Sequence, residues 1–131
     1  MMNIIEKYKD TFDALEIMRE MEPNIIYMHL ISLGKKLQED PLSEEKRLSK
    51  NQVTYCQFKL YVDIEDGKFK AWSDAMIASG YAYMLLDVFN SSNRTIDAKE
   101  FDILNIDELL SMNRTSGFFQ MIDIMNSKIP E

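Results

Sequence analysis

Apolar residues recur at helical spacing through the first third of the chain. Phe12, Leu15 and Met18 or Arg19 mark a first helix over about Glu6 to Met21. Pro23 suits the first turn of a second helix, where its missing N–H has no intrahelical partner. Ile26, Leu30, Leu33 and Leu37 form an i, i+4, i+7, i+11 stripe, which predicts a core-facing helix. His29 lies beside that stripe and reads as a structural or surface histidine, because a metal site needs partners that this chain lacks. From Glu39 to Lys50 the pattern gives way to Glu-Asp-Pro-Leu-Ser-Glu-Glu-Lys-Arg-Leu-Ser-Lys. This run is expected to be an exposed, mobile connection with both signs of charge.

The period then becomes two. Phe58, Leu60, Val62 and Ile64 alternate with Lys59, Tyr61 and Asp63, so one strand face is buried and the other is wetter. Asp66-Gly67 is a two-residue hairpin sequence, since both positions tolerate the positive φ of a type I′ turn. The return strand covers about Lys68 to Trp72, with Phe69 and Ala71 facing the core. Ser73 is expected to cap the next helix, with Asp74 in its first turn. Ile77, Tyr81, Met84, Leu85 and Val88 continue it as an amphipathic helix, and residues 90–93 end it. Thr95 is read as the cap of a short helix, and Asn105 with Glu108 as a capping box for another. A final helix spans about Ser116 to Ser127, with Phe118, Met121, Ile122 and Met125 inward. This order predicts one α+β domain over residues 1–131: a small antiparallel sheet, hairpin or meander, flanked by several helices.

Composition narrows the function classes. With 46% hydrophobic and 28% charged residues, 4 Gly and 3 Pro, the chain is globular rather than disordered. A net charge of -7 argues against nucleic acid and against an anionic membrane surface. It favours a protein partner with a complementary basic patch. No run approaches the roughly 20 apolar residues of a membrane span. The segment from Met1 to Lys7 lacks the apolar stretch of a signal peptide. A single cysteine provides no disulfide framework, which fits a reducing cytoplasm.

That cysteine, Cys56, carries the candidate chemistry. It shares parity with the buried strand face but sits at the strand's leading end, which places it at a rim. One Cys and one His cannot hold an iron–sulfur cluster, which takes about four protein ligands, so neither a cluster scaffold nor a metal site is expected. From the residues alone three readings remain: an inert cysteine in a binding module, a thiol redox protein, or a carrier. A redox protein usually keeps a resolving cysteine, and this chain has none.

Four motifs then occur in order. Tyr27-Met-His-Leu-Ile-Ser-Leu-Gly-Lys-Lys-Leu37 is similar to Y-x-x-[LI]-I-x-L-G-x-x-L, the second-helix pattern of SufE-type sulfur acceptors. Asn51-x-Val53-x-x-Cys56-Gln57 matches that family's N-x-[VI]-x-G-C-Q-S-x-V-W at the asparagine, the aliphatic position, the cysteine and the glutamine. Ser73-Asp74-Ala75 with Ile77 and Gly80 resembles D-S-D-A-x-I-x-x-G. Asn113-Arg114-Thr115-Ser116-Gly117 resembles S-R-[ST]-x-G, with Met121-Ile122 following. The resemblance runs from about Tyr27 to Met125. The chain departs from the pattern at Tyr55 (Gly in the family), Phe58 (Ser), Tyr61 (Trp), Trp72 (the first acid of D-S-D-A) and Met112-Asn113 (Pro-Ser).

The resemblance implies a SufE/IscU-like fold and a protein that takes sulfur from a cysteine desulfurase of the SufS-like kind onto Cys56. It implies that this acceptor stimulates the desulfurase and delivers sulfur to an iron–sulfur scaffold complex. No cofactor of its own is implied, since pyridoxal phosphate belongs to the desulfurase. Asp74, Arg114 and Gln57 are the implied partner-binding or loop-positioning residues. Lys46, Arg47, Lys50 and Arg114 are the cations that can favour a thiolate at Cys56. Phe58, Tyr61 and Trp72 are the side chains expected to form an apolar pocket around it. The sequence leaves open whether the protein also forms a homodimer.

Overall fold

The computed structural model describes residues 3–130, apart from the side chains of Met112 and Asn113. Met1, in the opening segment, and the Met112-Asn113 departure therefore lie outside what is described. Asn3 caps the first helix, its Oδ1 accepting the Glu6 amide hydrogen at 2.8 Å. Helix α1 accordingly spans Ile4–Met18 and starts and stops earlier than the sequence pattern suggests. Its buried face is Ile5, Tyr8 and Phe12, whereas Met18 is exposed. Pro23 lies in the turn ahead of α2 (Ile25–Leu37), not within its first turn. The predicted stripe of α2 is buried at all four positions, Ile26, Leu30, Leu33 and Leu37. His29 sits edge-on against the Phe12 ring at 5.7 Å. Burial, and then Lys36, hold its pKa below the usual value.

The charged connection after α2 is anchored rather than loose. Leu42 is fully buried, and its amide donates to the Ala71 carbonyl at 3.0 Å. Arg47 donates twice to the Leu42 carbonyl, at 3.0 and 2.8 Å, and Lys46 donates to the Ile64 carbonyl at 2.6 Å. Ser43 is held by Glu65 through both its amide and its hydroxyl. Two short 3₁₀ turns, Glu44–Lys46 and Ser49–Asn51, carry the chain along the hairpin.

Asn51 ends this strap in full burial. Its amide group donates to the Lys46 carbonyl at 2.7 Å and to Asp63 at 3.2 Å, and its oxygen accepts from Lys128 at 2.8 Å. Lys128 also pairs with Asp63 at 3.3 Å. Burial pushes the Asp63 carboxyl up, but the Ile64 amide, Lys128 and Lys46 outweigh it and hold the group below its ordinary range. A carboxyl depressed in the folded state contributes stability above its unfolded pKa and loses it as pH falls through the folded value. Asp63→Asn is therefore expected to be less stable than the parent at neutral pH. The gap should close as the pH is lowered, as read from denaturant melts across an acid series; a gap independent of pH would contradict this.

Strands β1 (Leu60–Glu65) and β2 (Lys68–Ser73) form an antiparallel hairpin in register from Leu60 opposite Ser73 to Glu65 opposite Lys68. Asp66 at φ 56° and Gly67 at φ 80° make its turn, as expected for the primed type. Leu60, Val62, Phe69 and Ala71 face the core, while Phe58 precedes the strand and is exposed. A lone bridge between Gln52 and Tyr61 is all that extends the hairpin towards a meander among the described residues.

Ser73 belongs to β2, and its hydroxyl accepts the Ala75 amide at 3.1 Å without capping the helix. Ala75 is the N-cap residue and makes no side-chain cap, so α3 begins only at Met76 and Asp74 is not in its first turn. Helix α3 (Met76–Ser92) is the central element, buried over most of its length and packed between α2 and the hairpin. It ends at Asn93, in the left-handed conformation at φ 54°. The next cap is Asp97, not Thr95: Asp97 and Glu100 form a capping box for a 3₁₀ helix over Ala98–Leu104. Asn105 adopts φ 52° ahead of α4 (Ile106–Leu109) and makes no side-chain cap, which corrects the expected box with Glu108. Helix α5 (Met112–Lys128) starts four residues earlier than expected and buries Phe118, Met121, Ile122 and Met125 completely. The architecture is α+β, with a two-stranded antiparallel sheet among several helices.

Candidate functional site

Between the strap and β1 the chain makes a closed turn that carries Cys56. Val53, fully buried, fixes the neck by donating its amide to the Leu60 carbonyl at 2.8 Å. Inside the turn the Cys56 amide donates to the Val53 carbonyl at 3.2 Å. Asp74 holds the exit: its carboxylate accepts the Lys59 amide at 3.0 Å and its own amide donates to the Lys59 carbonyl at 3.2 Å. Gln120 of α5 holds the opposite side. Its Oε1 accepts the Tyr55 amide at 2.7 Å, and its Nε2 donates to the Thr54 hydroxyl at 2.9 Å.

Cys56 itself is half-buried. Beneath it the Tyr81 hydroxyl donates to Sγ at 3.6 Å, a length in keeping with the larger radius of sulfur. Gly117 makes this approach possible. A Cβ there would lie 2.7 Å from the Tyr81 oxygen and 3.4 Å from both Cα and Cβ of Cys56. The thiol borders a cleft of about 290 Å³ whose lining includes Cys56, Gln57, Phe58, Asp74 and, from α5, Arg114. The Arg114 guanidinium lies 5.7 Å from the centre of the Tyr27 ring.

The four candidate residues of the sequence, Cys56, Gln57, Asp74 and Arg114, thus share one cleft although they come from three parts of the chain. Three other expectations change. Lys46 and Arg47 are committed to carbonyls of the strap and hairpin, and Arg114 is the candidate cation that lines the cleft. Tyr61 and Trp72 stack on each other at 6.1 Å, with Arg47 over the Trp72 ring at 4.5 Å, and are not part of the cleft lining. Of the expected aromatic pocket, only Phe58 lines the cleft, and it remains exposed.

Sequence reasoning treated Tyr81 as core and passed over Gln120. The first had a detectable cue, since a tyrosine in an apolar helix stripe brings a hydroxyl that needs a partner. The second had one too: Gln120 lies three residues after Gly117, on the same face of α5. Burial first, and then the thiol beside it, raise the Tyr81 hydroxyl well above its ordinary pKa, with Arg114 opposing, so it stays protonated and donates. Among the described residues no three metal-ligating side chains come together, and no helix is long and apolar enough to cross a membrane. The arrangement is suited to nucleophilic thiol chemistry, with a donor below the sulfur and an open cleft beside it.

The chain is similar to an uncharacterized SufE-like protein of Synechocystis sp., at 28% identity over 118 residues, covering 84% of this chain and 73% of the relative. A family model described as a SufE Fe-S metabolism associated domain matches residues 10–129, nearly the whole chain and every part of the cleft. The chain therefore belongs to the SufE family, associated with iron–sulfur metabolism.

Proposed function

We propose that this protein is a sulfur carrier: Cys56 takes sulfur from a persulfide on a SufS-like cysteine desulfurase and passes it to an iron–sulfur scaffold complex in the cytoplasm. The observation that carries this reading is the placement of the one thiol. It lies half-buried beside an open cleft, on a turn held by Val53, Asp74 and Gln120. The Cys56 thiolate attacks the outer sulfur of the donor persulfide, and the donor's own sulfur leaves as a thiolate. Stimulation of the desulfurase follows, because removing the persulfide frees its nucleophile for another turnover. Pyridoxal phosphate stays with the desulfurase, and this chain brings no cofactor to the transfer.

The neighbours take complementary roles in this reading. Asp74 sets the loop by bracing Lys59, and a docking partner would have to preserve or replace that brace. Arg114, at the cleft wall, offers a charge to an incoming carboxylate or to the transferring sulfur. Gln57 and the exposed Phe58 face the partner. The net charge of -7 suits a basic docking surface, and association should weaken as salt is raised.

The test is the intact mass after incubation with a cysteine desulfurase and cysteine in the absence of reductant. The expected result is a species heavier by one sulfur that disappears on adding reductant. A mass unchanged over a full desulfurase turnover series would sink the carrier reading.

A further inference from the structure

Tyr81 lies in the most buried stretch of α3, fully inaccessible to solvent, yet its hydroxyl is aimed at the sulfur of Cys56. The ring is fixed by an edge contact with Phe118 at 5.9 Å, and Phe118 is itself fully buried. On the side facing α5 there is room for the oxygen only because residue 117 is glycine, since a Cβ would sit 2.7 Å from it. A phenylalanine would pack this helix position equally well. The hydroxyl is thus a polar group placed in an apolar core, with the thiol as its acceptor.

We propose that Tyr81 is a catalytic residue of sulfur acceptance, donating a hydrogen bond to Cys56 Sγ that stabilises the thiolate before attack. This rests on the sulfur-acceptor reading for its purpose, though not for its geometry. An anionic sulfur accepts a hydrogen bond far better than a neutral thiol, so a fixed donor favours the ionised form. In the step itself, Cys56 Sγ supplies the electron pair for a new bond to the donor's outer sulfur. The donor S–S bond breaks, and its electrons leave on the donor's inner sulfur as a thiolate. One sulfur atom moves and no external oxidant or reductant is needed. Tyr81 keeps its proton throughout. Its hydroxyl raises the share of Cys56 able to attack, and afterwards it bonds the inner sulfur of the Cys56 persulfide while the outer sulfur faces the cleft.

The test uses iodoacetamide on the full chain, with Cys56 alkylation followed by mass across a pH series for the parent and Tyr81→Phe. Loss of one hydrogen bond to the reacting sulfur should slow alkylation at neutral pH about three- to tenfold. The two curves should converge at alkaline pH, where the thiol is ionised in both. Curves that coincide, or that stay separated by one factor at every pH, overturn the proposal, because a change in exposure alone would scale all rates equally. If Tyr81→Phe does not fold, 3-fluorotyrosine placed at position 81 keeps the ring and makes a stronger donor. Neutral-pH alkylation must then become faster, and an unchanged or slower rate overturns the proposal. Sulfur loading from a low-molecular-weight persulfide is the second arm. Curves that converge in a parent chain that accepts no sulfur would support the Tyr81 contact and defeat the carrier function alone.

Discussion

Cys56→Ser should fold with the stability of the parent and accept no sulfur at all. The first half follows from how the turn is held. Its ties run through the Val53 amide, the Lys59 amide to Asp74, and the Tyr55 amide and Thr54 hydroxyl to Gln120, and none of them uses Sγ. Serine is close to cysteine in volume, the site is half-buried, and the Tyr81 hydroxyl beneath it keeps an acceptor at position 56. A change within about 1 kcal/mol is expected in a denaturant melt, as for a substitution that opens no cavity and orphans no buried group. The second half follows from chemistry, since an alcohol is not ionised at neutral pH and cannot hold a sulfane sulfur. The chain has no other cysteine to substitute for it. Intact mass after exposure to a persulfide donor reads the outcome directly. An adduct retained by Cys56→Ser would show that sulfur had been attached elsewhere. A variant that also unfolds would show that the thiol holds the turn together, contrary to the bonding described above.

The features legible in the sequence are those decided locally or by period. The hairpin turn at Asp66-Gly67, the buried stripe of α2 and the inward face of α5 depend on spacing and on residue type, and both are visible without a fold. Caps were less legible, because two suitable residues stood within two or three positions of each other. Asp97 prevails over Thr95 because Glu100 reaches back to complete the box, and Ser73 stays in β2 because its backbone pairs with Leu60. The charged strap is anchored, against its local pattern, for a tertiary reason. Lys46 finds a carbonyl partner on the hairpin, at Ile64, and Arg47 folds back onto the Leu42 carbonyl of a strap that is itself pinned to Ala71, none of which the local pattern can place. At the site, Cys56, Gln57, Asp74 and Arg114, which the family resemblance implies, line one cleft, but the residues that touch the turn from beneath, Tyr81 and Gln120, belong to helices whose sequence shows only their apolar faces.

Gly80→Ala should produce the largest loss of stability of any single methyl added to this chain. A Cβ at position 80 would lie 2.2 Å from the Leu30 carbonyl oxygen, 2.8 Å from its carbonyl carbon and 3.0 Å from its Cα. All three are backbone atoms of α2, so no side chain can swing aside to make room, and the two helices must separate. Leu30, Gly34, Met76 and Ser79, which meet at this crossing, would then lose close packing in the most extensively shared interface of the fold. Alanine recovers about 1 kcal/mol of helix propensity relative to glycine, which offsets only part of an overpacking cost at the upper end of its range. A net loss of about 2 kcal/mol is expected, enough to lower the melting midpoint by roughly 8 °C in a domain of this size. The damage should reach the thiol as well, because Tyr81 is the next residue along the helix and α3 carries it. Adding the same methyl at Gly67 provides the control. Nothing lies within 4 Å of that position, and only its φ of 80° resists a side chain, so a loss of about 1 kcal/mol is expected there. Gly80→Ala matching or exceeding the parent in stability would mean that propensity outweighs contact, and that α2 and α3 do not meet backbone to backbone.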